Sequence, residues 1–170
     1  TNYFSGDEVL TVDGSLSYSG TTGVGGSISF DGTGKDPAVH YTPTSSGSIY
    51  ASFLLKVTAF DAAAVNGYFG ILRTDSGSYL SRLWISPTSA TSYRIGISTG
   101  GTLTQIDAPT TDYALNETIL VVFNYDLDNN TTSAWINKGG NVEPTADITE
   151  ASTSTNNTLS QFMVRQDSAT

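Results

Sequence analysis

Residues 118–137 read TILVVFNYDLDNNTTSAWIN, and this stretch decides the fold class. Side chains along a strand alternate between two faces, and one face here collects Ile119, Val121, Phe123, Tyr125 and Leu127. Leu120 and Val122 lie on the other face, so we expect this strand to be covered on both sides and to be central in its sheet. Residues 128–130 are Asp-Asn-Asn, which tolerate the left-handed backbone of a tight turn. Residues 132–137 then return as the partner strand of a core hairpin.

The rest of the chain repeats this pattern in short apolar-alternating runs that are separated by clusters of Gly, Pro, Asn and Asp. Nine to eleven short strands are predicted, and no helix of real length. Besides the hairpin, the runs are residues 16–18, 27–30, 38–41, 48–57, 68–73, 79–86, 93–98, 103–106 and 159–165. Many short strands at near-regular spacing indicate an all-β antiparallel sandwich or barrel.

The composition of the 170-residue chain limits the class of protein. Its length suits one domain that buries a core without disulfides or metal. A net charge of −9 argues against nucleic acid and against an anionic membrane surface as partners. The absence of cysteine excludes disulfides, thiol catalysis and zinc–thiolate sites. No apolar run approaches about 18 residues, so no membrane insertion is predicted.

The sequence predicts no enzyme activity. His40 is the only histidine, so a two-histidine metal site is impossible and a Ser–His–Asp arrangement is disfavoured. Glycosidases need two carboxylates at a defined separation. The four glutamates, at positions 8, 117, 143 and 150, all fall in polar segments and not on a strong strand. We therefore name no catalytic residue.

One run of acidic residues resembles a metal site. Asp126, Asp128 and Asn130 have the spacing that begins a calcium-binding loop. However, Thr131 stands where that loop requires glycine, and Asn137 stands where it requires a bidentate glutamate. A turn between paired strands explains the same residues. Calcium is therefore the one cofactor to consider, and the alternative is that the protein has none.

Three tyrosines are the candidates for binding a carbohydrate. Sugar rings stack on exposed aromatic faces, and Tyr68, Tyr79 and Tyr93 each lie at a strand start near a loop. Trp84 and Trp135 also lie in predicted strands. Because half of the aromatic residues of a strand face the core, we expect both tryptophans to be core residues.

Several positions match glycosylation patterns. Asn116, Asn130 and Asn156 each begin an Asn-x-Ser/Thr sequence. Ser168, in Asp167-Ser168-Ala169, resembles the acceptor for O-glycans in Bacteroidetes. A chain so rich in Ser, Thr and Asn also produces such matches by chance.

Taken together, segments along nearly the whole chain resemble the concanavalin A-like (laminin-G-like) jelly-roll domains of secreted surface proteins of Bacteroidetes and related phyla. The resemblance implies a two-sheet antiparallel jelly-roll sandwich in an extracellular or cell-surface setting, with no settled activity and no catalytic residues. The segments are residues 16–18, 47–54, 82–85, 95–98, 119–125, 135–137, 143–144 and 161–166.

The chain departs from that resemblance at its ends. Such domains usually begin with a longer, more aromatic strand than residues 1–10, and they usually end with a further apolar strand after Thr170. Residues 1–170 are therefore predicted to form one jelly-roll domain that lacks its usual first and last strands. Either the chain is a fragment, or a neighbouring subunit supplies the missing strand at an open sheet edge and builds a filament.

The predicted function is a non-catalytic extracellular structural or adhesive module, with a fibre subunit joined by strand complementation as its specific form. Its expected partners are further copies of itself or other surface proteins. The alternative is a carbohydrate-binding, lectin-like domain that works alone or attached to a secreted enzyme and takes polysaccharide as its partner.

Overall fold

The computed structural model describes residues 10–12, 14–19, 25–30, 36–60, 65–138, 143–155 and 157–166. These residues contain thirteen strands and no helix. The strands are β1 (Leu10–Val12), β2 (Ser27–Ser29), β3 (Ala38–Thr44), β4 (Ser48–Lys56), β5 (Gly67–Arg73), β6 (Tyr79–Pro87), β7 (Ser92–Ser98), β8 (Gln105–Ile106), β9 (Tyr113–Ala114), β10 (Thr118–Asp126), β11 (Thr131–Ile136), β12 (Ile148–Ala151) and β13 (Leu159–Val164).

Two antiparallel sheets pack face to face. The large sheet has the order β3-β13-β5-β6-β7-β8, and β9 also pairs with β7. The small sheet has the order β12-β11-β10-β4, and β1 pairs with β2 in a separate two-stranded ribbon. The prediction of an all-β, two-sheet antiparallel jelly-roll sandwich is confirmed. Among the described residues there is no helix of the length and apolarity that crossing a membrane requires.

The core lies between the two sheets and is centred on β10. This strand pairs with β4 on one side and with β11 on the other, as its apolar pattern predicted. Its inner-face residues have no exposed surface and pack in one cluster with Leu83, Ile95 and Ile97 of the large sheet. The turn after β10 contains Asn130 at φ 52°, the left-handed backbone expected there. Those inner-face residues are Ile119, Val121, Phe123 and Tyr125.

The number of strands was underestimated from the sequence. Residues 16–18 were predicted as a strand, but only an isolated bridge forms there, at Tyr18. Strands β1, β9 and β12 were not predicted. Each of them has only two to four residues, and such short segments are extended because a neighbour pairs with them, not because of their own pattern.

The last strand of the described chain is an internal strand. β13 lies between β3 and β5 in the large sheet. Its Gln161 pairs with His40 of β3, which is exposed and is a strand residue as predicted. Within the described residues, the longest edge strand is instead β4 of the small sheet.

Candidate functional site

An aromatic cluster lies on the outer face of the large sheet, away from the small sheet. Tyr68 of β5 pairs with Trp84 of β6, and their ring centroids are 4.9 Å apart at an interplanar angle of 62°. Tyr79, at the start of β6, meets the Tyr68 ring edge to face at 6.3 Å. Both tyrosines are half-buried. The register of β5 and β6 therefore brings together two of the three tyrosines that the sequence proposed.

Two arginines lie over these rings. The guanidinium carbon of Arg165 is 4.4 Å from the centroid of Tyr68. That of Arg82 is 5.6 Å from Tyr68 and 5.1 Å from Tyr79. At such distances a cation is attracted to the negative face of the ring. The site is therefore both aromatic and positively charged.

Arg82 is held in place by the loop after β7. Its Nη1 donates to the carbonyl oxygens of Thr99 and Gly100, at 3.1 and 2.5 Å. Partial burial lowers the pKa of Arg82, although a guanidinium still keeps its proton at neutral pH. Its Nε is buried and has no hydrogen-bond partner among the described groups. Arg82 is thus a cation that the loop holds in place, with its Nε–H left unsatisfied.

A groove of about 430 Å³ opens beside Tyr68. We call it the aromatic–arginine groove. None of the described residues in its wall is a carboxylate, and its volume lies within the range of about 300–1,000 Å³ that is usual for ligand pockets. It is lined by Asn66, Tyr68, Trp84, Gly101, Thr102, Leu103 and Arg165.

Trp84 and the loop form the rigid side of this groove. Trp84 Nε1 donates to Ser98 Oγ at 2.8 Å, and Ser98 Oγ donates to the carbonyl oxygen of Gly100 at 2.8 Å. Leu103 packs onto Gly96, where a Cβ would overlap Leu103 Cδ1. The loop can approach the sheet this closely because Gly96 has no side chain.

The two tryptophans are buried as predicted, but not in the core between the sheets. Trp84 lies on the outer face of the large sheet, as its pairing with Tyr68 requires. Trp135 is on the outer face of the small sheet, 6.0 Å from the Tyr50 ring, and its Nε1 donates to the carbonyl oxygen of Pro144 at 2.7 Å. Burial therefore does not by itself place an aromatic residue between the sheets.

The prediction that Tyr93 binds a ligand is wrong. Its side chain is 0% exposed and packs against Phe60 and Tyr113, with ring centroids 6.0 and 5.7 Å away. Burial raises the pKa of the Tyr93 hydroxyl well above its usual range. Tyr93 pairs with Pro87 in the register that turns both residues to the core. A tyrosine at a strand start can thus face inward.

The candidate calcium residues form a hydrogen-bonded turn. Asp126 Oδ1 accepts from the backbone N–H groups of Asp128 and Asn129, at 2.9 and 3.0 Å. Asp126 Oδ2 accepts from Asn129 Nδ2 at 2.8 Å, and this hydrogen bond is the main cause of a lowered pKa for Asp126. Asp128 is exposed, and Asn130 is half-buried. No group of three or more His, Cys, Asp or Glu side chains in the described chain could hold a metal ion, and calcium binding stays a prediction.

The candidate glycosylation sites differ in accessibility. Asn116 is exposed in the turn before β10, at φ 67°. Asn130 is half-buried, and its Oδ1 is buried. Asn156 and Ser168 lie outside the described residues. Modification at these four positions stays a prediction.

Sequence reasoning missed the arginines and the loop of the groove. Arg82 and Trp84 are two residues apart on β6, so strand alternation could have placed them on one face. No local signal places Arg165 over Tyr68. That contact depends on the pairing of β13 with β5, whose residues are about ninety positions apart in sequence.

Comparisons with known proteins assign no family. No family model matches the chain, and no curated protein matches it. Among solved structures, the chain is similar to the native heptameric SAP-like pentraxin of Limulus polyphemus, with a TM-score of 0.48 and 8% sequence identity. The similarity covers 74% of this chain and 54% of that chain, so it spans about half the length of the pentraxin. Such a likeness assigns neither a function nor residue roles.

Proposed function

We propose that this protein is a non-catalytic, extracellular adhesive module that binds polysaccharide in the aromatic–arginine groove. The observation that carries the proposal is the contact of Tyr68 with both Trp84 and Arg165 in a groove open to solvent. The exposed part of the Tyr68 ring offers apolar surface to the C–H groups of a sugar ring. Asn66, Thr102 and Arg165 offer polar groups to its hydroxyls.

The charge distribution favours a saccharide that carries carboxylate or sulfate groups. The chain has a net charge of −9 and only seven Lys and Arg residues. All four arginines, Arg73, Arg82, Arg94 and Arg165, lie on or beside the outer face that holds the groove. Arg94 is ion-paired with Asp112, and Arg165 is the arginine among the described lining residues of the groove. Because Arg165 is in the groove wall and Arg82 lies over the neighbouring rings, an anionic ligand is attracted more strongly there than to the rest of this acidic surface.

The non-catalytic part of the proposal is supported by the lining of the groove. Its described lining residues include no carboxylate pair that could act as acid and base on a glycosidic bond. The extracellular setting is supported by the Cys-free, Ser/Thr-rich composition and by the resemblance of the sequence to secreted jelly-roll domains.

The test is a binding titration against neutral and uronic-acid oligosaccharides, with wild-type protein, Tyr68→Ala and Tyr50→Ala. Tyr50 is the matched control, since it is an exposed tyrosine on the outer face of the small sheet. We expect Tyr68→Ala to weaken binding about tenfold, because the stacking and cation–π contacts of this ring contribute on the order of 1–2 kcal/mol. Tyr50→Ala should bind like the wild type. If neither class of saccharide binds, or if both variants lose affinity equally, the proposal fails.

A filament subunit is the second candidate function. One observation favours it: β4 is an unpaired edge among the described strands, and an unpaired edge can accept a strand of another molecule. Electron microscopy of concentrated protein should then show regular filaments. Discrete particles of one small size would contradict this candidate.

A further inference from the structure

The outer edge of the small sheet is formed by β4, which is nine residues long. No described strand pairs with its free side. Leu127 N donates to the carbonyl oxygen of Gly47 at 2.9 Å, so the odd-numbered residues of β4 exchange hydrogen bonds with β10. The even-numbered residues therefore turn their N–H and C=O groups to the free side. They are Ser48, Tyr50, Ser52, Leu54 and Lys56.

Apolar surface is left uncovered along the same edge. Ile49, Ala51 and Phe53 point into the sandwich, yet all three are only half-buried. The β10 residues that pair with them, Tyr125, Phe123 and Val121, have no exposed surface. The inward-facing apolar side chains are thus fully covered at β10 and partly exposed at β4.

β4 also lacks the features that protect a free edge from other chains. Its register with β10 runs without a bulge, and residues 48–55 contain no charge and no proline. The other described edges are protected or short. β3 contains Pro43, β12 has four residues including Glu150, and β8 and β9 have two residues each.

We propose that a second copy of this chain pairs with β4, antiparallel, about a two-fold axis at Ser52. In this register Ser52 faces Ser52 of the second copy, Tyr50 faces Leu54, and Ser48 faces Lys56. The outward groups of the two strands then meet in hydrogen-bonded pairs, with about ten main-chain hydrogen bonds in all. No like charges oppose each other across the new pair of strands.

The same register completes the core edge. On the inner face, Ala51 of one copy faces Phe53 of the other, and Ile49 faces Leu55. All four side chains are apolar, so the surface that Ile49, Ala51 and Phe53 leave exposed in each copy is covered by the other copy. The strand is self-complementary on both faces, and this is why a second copy fits better than an unrelated chain.

The symmetry also has a consequence for binding. The two-fold axis of an antiparallel strand pair is perpendicular to the sheet, so both copies keep their large sheets on the same side of the joined small sheet. Their aromatic–arginine grooves then face the same direction, and a dimer can bind one polysaccharide surface at two points. A two-fold contact is also closed, so it yields dimers and not filaments.

Cysteine crosslinking tests the register directly, because the chain contains no cysteine of its own. Ser52→Cys places two thiols at the axis, with Cα atoms about 5.5 Å apart, a distance that a disulfide spans. Ser48→Cys is the matched control, since its two copies would be separated by eight residues, or roughly 27 Å. We expect mild oxidation to convert most of Ser52→Cys to a covalent dimer and almost none of Ser48→Cys. Equal crosslinking of both variants, or none of either, would overturn the proposal.

Ser52→Lys tests the dimer without crosslinking. It places two positive charges at the axis, and Thr111→Lys adds the same charge to an exposed loop before β9. Sedimentation should show a dimer for wild type and Thr111→Lys, and a monomer for Ser52→Lys. The affinity for a short oligosaccharide should be equal in all three, while release from a polysaccharide-coated surface should be at least tenfold faster for Ser52→Lys. A monomeric wild type, or wild-type filaments in place of dimers, would show that a second copy does not pair with β4 in this way.

Discussion

A buried hydrogen bond between the two sheets leads to the sharpest stability prediction. Ser81 of β6 and Thr132 of β11 are both fully buried, and their hydroxyl oxygens are 2.5 Å apart. Thr132 Oγ1 donates its proton to the carbonyl oxygen of Asn124 at 2.7 Å. Ser81 must therefore be the donor in the contact between the sheets. The Ser81 hydroxyl therefore needs Thr132 as its acceptor, whereas Thr132 Oγ1 keeps its own hydrogen bond to Asn124 without Ser81.

Thr132→Val keeps the shape of the side chain but leaves the Ser81 hydroxyl buried without an acceptor. An unsatisfied buried donor costs about 1–3 kcal/mol, so we expect a loss of about 2 kcal/mol, or roughly 4–8 °C in Tm for a chain of this size. Ser81→Ala leaves Thr132 with its bond to Asn124, and it should cost only about 0.5–1.5 kcal/mol.

The measurement is a double-mutant cycle: the unfolding free energy in urea is determined for the wild type, both single variants and the double variant. In the Ser81→Ala background, Thr132→Val should cost about 1 kcal/mol less than it does alone, because no donor remains to be left unsatisfied. If the two costs add to within about 0.3 kcal/mol, the hydroxyl pair does not couple the sheets and the reasoning is refuted.

Two further predictions concern a buried carboxylate and the groove wall. Asp107 is 3% exposed, and burial raises its pKa more than its hydrogen bonds from Tyr113 and Ile95 lower it. The folded protein therefore favours the protonated carboxyl group of Asp107. The resulting contribution to the unfolding free energy is fully present below about pH 4 and is lost as the pH rises through the raised pKa. Asp107→Asn should make the unfolding free energy, followed by urea titration from about pH 4 to pH 8, fall less steeply with rising pH than in the wild type, and an equal slope would contradict this assignment. A Cβ at Gly96 would overlap Leu103 and lie 2.9 Å from the carbonyl oxygen of residue 105, so Gly96→Ala should displace the loop and weaken saccharide binding several-fold with little change in circular dichroism. Unchanged affinity would show that residues 101–103 do not shape the groove.

The candidate site was predictable only in part. Tyr68 and Tyr79 were found because aromatic residues at strand starts lie near loops, and both do line or flank the groove. Tyr93 satisfies the same rule but faces the core. The rule states where along a strand a residue lies, and it says nothing of the face, which depends on the register with the neighbouring strand. Arg165 could not be placed at all, because its partner is distant in sequence.

The sequence by itself determined the fold class and the central hairpin. The period-two pattern from Ile119 to Leu127 is a local property, and burial of that face follows from it whatever the neighbours are. Only the tertiary structure decided the strand order, the short strands β1, β9 and β12, the outer-face position of Trp84 and the open edge at β4. The physical reason is that pairing between strands distant in sequence is selected by the combined packing of both sheets, and no single segment encodes that packing.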